Sequence, residues 1–125
     1  MTALPRSAVV LVTRGDIVLG LTRGSGRPTD ALTWLADLHL PGGKEELEDG
    51  SDPRMTAARE LLEETGLRVR AGELRHIIDV VSPTGLPVSA FATPAPADAP
   101  DHFEFRPGIG QPGWVPPDAL VQRWC

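Results

Sequence analysis

Residues 42–67 of the chain read GGKEELEDGSDPRMTAARELLEETGL, and the second half of this stretch carries the signals of an α-helix. Asp52 suits the N-cap, and Pro53 suits the first helical position, where its missing N–H removes no intrahelical hydrogen bond. Gly66 stands where a helix commonly ends in a left-handed residue. The sequence therefore predicts one helix that begins at Pro53 and ends just before Gly66.

The predicted helix has two unlike sides on a wheel of about 100° per residue. Side chains three and four positions apart are neighbours, with Cβ atoms about 5–6 Å apart. A hard cation such as Mg²⁺ suits a carboxylate cluster, because it takes a few carboxylate oxygens and leaves positions for water and phosphate oxygens. A solvated acidic surface is the alternative. The apolar side holds Met55, Ala58 and Leu62, with Leu61 and Thr65 at its edge, and the acidic side holds Glu60, Glu63 and Glu64.

The end of this stretch, Arg59 to Leu67, reads RELLEETGL and follows an opening Pro-Gly-Gly-Lys at residues 41–44. Together they resemble the Nudix box, the signature of the Nudix hydrolase family. That pattern is Gly, five residues, Glu, seven residues, then Arg-Glu-apolar-x-Glu-Glu-x-Gly-apolar. Residues 59–67 match it at every specified position, so the resemblance is specific there.

The first half of the box departs from the family pattern. Counted back from Arg59, the position of the first Glu is held by Ser51, and Arg59 follows Gly43 by sixteen residues rather than fourteen. The extra length is expected within residues 45–49. The absent Glu usually braces the loop against the helix in this family, so its loss is expected to affect loop order before chemistry. Glu48 and Asp49 are the candidate replacements.

The resemblance implies an α/β fold, the Nudix-type α/β/α sandwich with a mixed sheet and a central catalytic helix, as one domain over residues 1–125. It implies Mg²⁺-dependent hydrolysis of a phosphoanhydride bond in a nucleoside diphosphate-linked substrate, such as a nucleoside triphosphate or ADP-ribose. Mn²⁺ is expected to substitute for Mg²⁺. The alternative is a catalytically silent Nudix domain that binds or senses a nucleotide.

The resemblance also implies roles for the residues that match the box. Glu60 and Glu64 are the expected main metal ligands, with Glu63 and the Gly42 carbonyl as further ligands. The general base is either Glu60 or Glu63. Arg59 is expected to complete the catalytic group by holding a helix carboxylate through an ion pair.

Substrate contacts are less sharply indicated. Lys44 is a candidate phosphate contact, and Arg23 and Arg27 lie in a predicted loop over residues 23–30 that can contact phosphate or base; plain surface is the alternative for all three. Many family members recruit another acid from a late loop. Pro83 lies sixteen residues after the box, as in members that cleave ADP-ribose, although an ordinary turn proline is an equal alternative. The candidates for the late acid are Asp98, Asp101 and Glu104.

The rest of the chain reads as strands joined by turns. Residues 7–13 and 17–22 are β-rich apolar runs around an Arg-Gly-Asp turn, which predicts a hairpin whose strands are covered on both faces. Further predicted elements are strands at 73–81, 86–93 and 113–115, a long proline-rich loop over 94–117 with the last strand inside it, and a short helix at 116–124.

The net charge of −5 lies in one place, because residues 42–67 hold eight acidic and three basic residues and the remainder balances. Nucleic acid polymers bind to basic surfaces, which this acidic chain does not offer. The expected partner is therefore a small nucleotide whose phosphates are screened by metal ions. No apolar run suits a signal peptide or a membrane span. The lone cysteine, Cys125, fits a reducing cytoplasm. A monomer or a homodimer is expected.

Overall fold

The structure, a computed structural model, describes residues 6–22, 38–81 and 85–119. Within these ranges short 3-10 turns span Leu47–Asp49 and Ala71–Glu73, and residues 117–119 are helical. The strands are β1 (Ser7–Arg14), β2 (Ile17–Thr22), β3 (Leu38–His39), β4 (Gly42–Lys44), β5 (Arg75–Val81), β6 (Pro87–Pro94) and β7 (Gln111–Val115), and the helix is α1 (Pro53–Thr65).

The predicted hairpin is confirmed, and its strands separate beyond the turn. β1 and β2 pair beside that turn, where Gly15 has a φ of 57° and Thr13 lies opposite Val18. Farther along, β3 pairs with β2 while β4 pairs with β1. The chain from residue 38 to residue 44 therefore lies between the two hairpin strands. This position places the Gly-Gly pair of β4 beside the middle of the sheet.

The sheet is mixed, as the family resemblance implies, with the strand order β3-β2-β1-β6-β5. β1 pairs with β6 in parallel along its length, from Ser7 with Val88 to Thr13 with Pro94. β5 pairs antiparallel with β6, and β7 pairs antiparallel with β2. Pro87 is the first residue of β6, a position where a missing N–H is tolerated within a sheet.

Apolar side chains cover both faces of the hairpin strands, because neighbouring residues of a strand point to opposite faces. On one face, Val10 of β1 and Leu19 of β2 pack with Leu61 of α1 in the larger cluster. On the other face, Leu11 and Val18 belong to a smaller cluster that includes Ala119. The larger cluster consists of Ala8, Val10, Val12, Leu19, Ala57, Leu61, Leu67, Leu74 and Phe91.

The bounds of α1 are confirmed, whereas its buried side is not the apolar side of the wheel. Asp52 is the N-cap and accepts a hydrogen bond from the Arg54 N–H, and Gly66 closes the helix with a φ of 81°. Met55 is 45% exposed. Contact with β1 and β4, rather than the apolar stripe, decides which side faces the sheet. The buried residues of α1 are Thr56, Ala57, Leu61, Glu64 and Thr65.

Other element bounds differ slightly from the sequence prediction. β5 begins at Arg75 because Ala71–Glu73 form a 3-10 turn, and β7 begins two residues earlier than predicted, at Gln111. The loop over residues 95–110 is tied to β7, since the Trp114 indole N–H donates to the Pro100 carbonyl at 2.8 Å. In the parts of the chain described here, no helix combines the length and the apolar character that crossing a membrane requires.

Candidate functional site

The two glycines of β4 let a strand and a helix side chain approach closely. A Cβ on Gly42 would lie 2.3 Å from the Ala8 carbonyl oxygen, and a Cβ on Gly43 would lie 2.5 Å from Cδ of Glu60. Both distances are far inside van der Waals contact. Residue 42 must therefore lack a side chain to pair with β1, and residue 43 must lack one to make room for the Glu60 carboxylate.

Glu64 points into the structure although it belongs to the acidic side of the predicted helix. It is only 6% exposed, and its Oε1 accepts a hydrogen bond from the Gly42 N–H at 2.8 Å. A buried carboxylate is tolerated when donors satisfy it. Glu64 thus fastens α1 to β4 at the same glycine whose carbonyl is the expected metal ligand.

Glu60 and Glu63 share one donor, the Nη1 of Arg59. Nη1 lies 3.0 Å from Oε1 of Glu60 and 3.3 Å from Oε2 of Glu63. The Glu60 side chain is 15% exposed, whereas that of Glu63 is 53% exposed. One guanidinium nitrogen therefore offsets the repulsion between two carboxylates that lie three positions apart.

The remaining nitrogens of Arg59 bind the loop that precedes α1. Nε donates to Oδ1 of Asp49 at 2.9 Å, and Nη2 donates to Oδ2 of Asp49 and to the Lys44 carbonyl, both at 3.0 Å. Asp49 is 3% exposed and also accepts from the Thr56 hydroxyl at 2.9 Å and the Glu46 N–H at 2.8 Å. The hydrogen bonds from Arg59 are the main reason why the pKa of Asp49 falls to about 2. Asp49 in turn raises the pKa of Arg59.

Of the two candidate replacements for the absent box Glu, the structure places Asp49 against Arg59. Glu48 is 64% exposed at 3.7 Å from Nε of Arg59, and its hydrogen bond with Glu46 raises its pKa. Ser51, at the family's Glu position counted back from Arg59, is exposed with a φ of 63°.

The position of Asp49 also changes where the two extra residues of the box loop are placed. Counted forward from Gly43, five residues precede Asp49, which is the family's spacing from Gly to Glu. The two extra residues then fall after Asp49, where Gly50 and Ser51 have φ values of 64° and 63°. This differs from the expectation that they fall within residues 45–49. The spacing counted forward from Gly43 could have identified Asp49 from the sequence. No spacing in the family pattern indicated that Thr56 would contact it.

The other predicted site residues that the structure describes lie in β4 and in the loop over residues 95–110. Lys44 is exposed at the end of β4, while Arg23, Arg27 and Pro83 lie outside the described residues. Among the late acids, Asp98 is exposed, Asp101 forms an ion pair with Arg14, and Glu104 lines a cleft of about 560 Å³ with Thr65, Phe103 and Arg106.

The donor set suits a hard cation by type, although the described side chains do not form a closed metal cage. Over residues 6–22, 38–81 and 85–119, no three His, Cys, Asp or Glu side chains are grouped so as to hold a metal ion. The Glu60 carboxylate nevertheless occupies the space beside Gly43, and Glu64 accepts a hydrogen bond from the Gly42 N–H. Nη1 of Arg59 pairs with both Glu60 and Glu63. A carboxylate has about four lone-pair sites, so a hydrogen bond from arginine does not exhaust it.

The sequence match and the structural matches to known proteins point to the same family. A model of the NUDIX domain matches residues 3–124. A chain from Chromobacterium violaceum assigned to the nudix hydrolase family superposes with a TM-score of 0.64 at 22% identity, covering 93% of this chain and 65% of that one. A MutT structure from work on Aliivibrio salmonicida and Vibrio cholerae gives 0.61 at 20% identity, covering 94% and 82%. The NUDIX domain of Shewanella oneidensis NrtR, complexed with ADP ribose, gives 0.67 at 17% identity, covering 98% and 79%. At these identities the likeness establishes the α/β fold.

Proposed function

The chain belongs to the Nudix family, and we propose that it is a diphosphohydrolase that cleaves a phosphoanhydride bond in a nucleoside diphosphate-linked substrate. The observation that carries the proposal is the gathering of α1 carboxylates at the Gly42–Gly43 backbone, with Glu60 against one glycine and Glu64 bonded to the other. Nucleoside triphosphates and ADP-ribose are the leading substrate classes. The NrtR domain, which shares this fold and is complexed with ADP ribose, supports a nucleotide ligand.

Mg²⁺, with Mn²⁺ as a substitute, is the proposed cofactor, because the available donors are carboxylate and carbonyl oxygens. Glu60 and Glu64 would be its main ligands, with Glu63 and the Gly42 carbonyl as further ones. Such an ion neutralises phosphate charge, orients the phosphate chain and lowers the pKa of bound water.

The protein side chains supply proton transfer and positioning. Either Glu60 or Glu63 accepts the proton of the attacking water, and general-base help of this kind contributes typically ~10²–10⁴-fold. Arg59 holds both carboxylates through Nη1, which limits the orientations they adopt before substrate arrives. Lys44, and Arg23 and Arg27 more weakly, would contact the phosphates or base of the substrate.

The test is a panel of deoxynucleoside triphosphates and ADP-ribose, assayed for phosphate products with Mg²⁺ and with a chelator. Glu64→Gln keeps the size of the side chain and removes its charge, so we expect turnover to fall by ~10²-fold or more. Glu73→Gln makes the same change at an exposed position in a 3-10 turn and should leave turnover unaltered. Near-normal activity of a folded Glu64→Gln protein would remove the site assignment.

A second candidate function is a catalytically silent domain that binds a nucleotide. One observation favours it: counted back from Arg59, the position of the first box Glu is held by Ser51. A silent domain would bind ADP-ribose or a triphosphate in calorimetry and release no product with either Mg²⁺ or Mn²⁺. The intact Arg59, Glu60, Glu63 and Glu64 favour the hydrolase.

A further inference from the structure

The apolar stripe of α1 faces away from the sheet of its own chain. Met55 is 45% exposed, while Ala58 and Leu62 are half-buried. A helix of a soluble domain usually turns such a stripe toward the core. Apolar side chains that gather on a surface mark contact sites, whereas single exposed ones are ordinary. Among the described residues, the outer side of α1 is therefore an apolar surface that stays open.

This outer side borders a groove of about 340 Å³. Val69, which follows α1 in the chain, lines the groove together with Met55, Ala58 and Leu62. Methionine is enriched at protein interfaces, where its flexible side chain adapts to the surface that it meets. The groove thus offers an adaptable apolar lining to one inserted side chain.

Leu47 is an apolar side chain at the border of this groove. It is fully exposed, and it opens the 3-10 turn Leu47–Asp49, whose other two residues line the groove. At full exposure it does not fill the groove of its own chain. One patch therefore carries both a protruding leucine and an open apolar groove, which are the two complementary parts that a two-fold interface between identical chains requires.

We propose that two copies of this chain associate about a two-fold axis, with Leu47 of each copy inserted into the groove along α1 of the other. The proposal concerns the oligomeric state and does not depend on the proposed hydrolysis. It also selects the homodimer from the two states that the sequence leaves open.

The charges that line the groove allow this pairing, although residues 42–67 are acidic as a whole. Two acids and two arginines line it. Asp49 and Arg59 bind each other within the chain. Glu48 and Arg68 are exposed, so Glu48 of one copy can pair with Arg68 of the other, and the two-fold axis repeats the pair.

Strand β5 is the competing apolar surface, and its structure opposes pairing with a second copy. Its register with β6 shifts between His76 and Ile78, which marks an irregular strand, and Asp79 adds an exposed charge. Irregularities and charges of this kind are what proteins use to prevent edge strands from pairing. The groove along α1 has no such protection.

The first test is sedimentation velocity of the wild-type protein from about 1 µM to about 300 µM. Interfaces below the standard size are weak or transient, so we expect a dimer with a Kd on the order of 10–100 µM. A protein that is monomeric at every concentration would show that another molecule, or none, covers the groove, and the inference would be wrong.

The deciding variant is Leu47→Asp, with Val81→Asp as its matched control. Both changes place an acid at a highly exposed apolar position. Leu47→Asp should raise the Kd at least about 30-fold, as for the loss of a central interface side chain, whereas Val81→Asp should change it less than about twofold. Far-UV circular dichroism at about 1 µM, where the protein is monomeric, checks that both variants fold.

The pairing of charges is tested by reversal. Arg68→Glu and Glu48→Arg should each raise the Kd about fivefold, since a pair at the rim of an interface contributes modestly. The double variant restores opposite charges across the interface and should return the Kd to within about twofold of wild type.

Cross-linking tests the contact itself and does not depend on the Leu47→Asp variant. In chains that carry Cys125→Ser, a mixture of Leu47→Cys and Met55→Cys proteins should form disulfide-linked pairs under mild oxidation, because the two positions meet across the interface. A mixture of Leu47→Cys and Val81→Cys proteins should not.

Two results would overturn the inference even if a dimer exists. The first is a dimer that Val81→Asp dissociates and Leu47→Asp leaves intact, since β5 would then be the interface. The second is the absence of a disulfide between the Leu47→Cys and Met55→Cys chains at concentrations where the wild type is dimeric. Neither result bears on hydrolysis, which the nucleotide panel tests separately.

Discussion

Two regions of the molecule invert the usual relation between polarity and burial. In the loop–helix corner, defined as residues 42–49 with α1, Asp49 is 3% exposed and Glu64 is 6% exposed. On edge strand β5, Ile78 is 52% exposed and Val81 is 71% exposed. The corner buries charge, and the edge strand exposes apolar surface.

The difference shows that partners and position, rather than residue type, decide burial here. Each buried carboxylate of the corner has a hydrogen-bond donor, Arg59 for Asp49 and the Gly42 N–H for Glu64. β5 ends the strand order, and it pairs with β6 alone in the part of the sheet described. Every residue from Arg75 to Val81 is exposed, so the described part of the chain leaves both faces of β5 open to solvent.

The largest expected effect distinguishes the two glycines of the corner. Gly42→Ala drives a Cβ into the backbone of β1 and should lower the free energy of unfolding by about 3 kcal/mol. Gly43→Ala meets only the end of the Glu60 side chain, so we expect a loss within about 1 kcal/mol but a turnover reduced about tenfold, since Glu60 is displaced. Denaturant unfolding and the phosphate-release assay measure the two quantities. Equal stability losses would mean that the Glu60 carboxylate does not lie against Gly43.

The next largest effect is the loss of stability at low pH that Asp49 causes. The pKa of Asp49 is about 2 in the folded protein and 3.8 as the ordinary value. Because the folded pKa is lowered, the stabilisation is complete above the ordinary value and is lost as pH falls through about 2. The shift corresponds to about 2 kcal/mol, and Asp49→Asn should remove that part of the pH dependence in unfolding curves recorded from pH 6 to pH 2.

Asp79 on β5 is the matched control for the acid experiment. Hydrogen bonds from His76 and Ser89 lower its pKa as well, but its side chain is 68% exposed and solvent screens the interaction. Asp79→Asn should leave the pH dependence of unfolding almost unchanged. A larger change for Asp79→Asn than for Asp49→Asn would break the contrast between corner and edge.

A smaller effect is expected at Ser51, in the short link between residue 49 and α1. Its φ of 63° is unfavourable for an L-residue and natural for glycine. Ser51→Gly should stabilise the protein by about 0.5 kcal/mol, because relief of strain exceeds the added entropy of the unfolded chain. Differential scanning calorimetry should show an increase in Tm of about 2 °C. A lower Tm would indicate that Ser51 makes a stabilising contact.

The smallest effect is expected on β5. Val81→Thr adds a hydroxyl that water can solvate, so the free energy of unfolding should change by less than about 0.5 kcal/mol. Val10→Thr makes the same substitution at a fully buried position of β1 and should destabilise by about 1–3 kcal/mol. Chemical denaturation of both variants tests the pair. A large loss for Val81→Thr would mean that another surface covers β5 in solution.

The sequence by itself determined the local elements whose signals lie within a few residues. Asp52, Pro53 and Gly66 set the ends of α1, because capping depends on neighbouring backbone groups. The Gly15 turn set the hairpin for the same reason. The specific residues at 59–67 also indicated the family, which the domain match confirms.

Only the tertiary structure decided which side of α1 is buried, and only the tertiary structure chose between the two counts along the box, forward to Asp49 or back to Ser51. Met55, Ala58 and Leu62 form the more apolar stripe, yet β1 and β4 contact the side with Leu61 and Glu64, since the path through β4 sets how the helix lies on the sheet. Asp49 and Glu48 are neighbours of equal charge in the sequence. They differ because three hydrogen-bond donors converge on Asp49 among the described contacts: the guanidinium of Arg59, the hydroxyl of Thr56 and the N–H of Glu46. These donors come together only when the chain is folded.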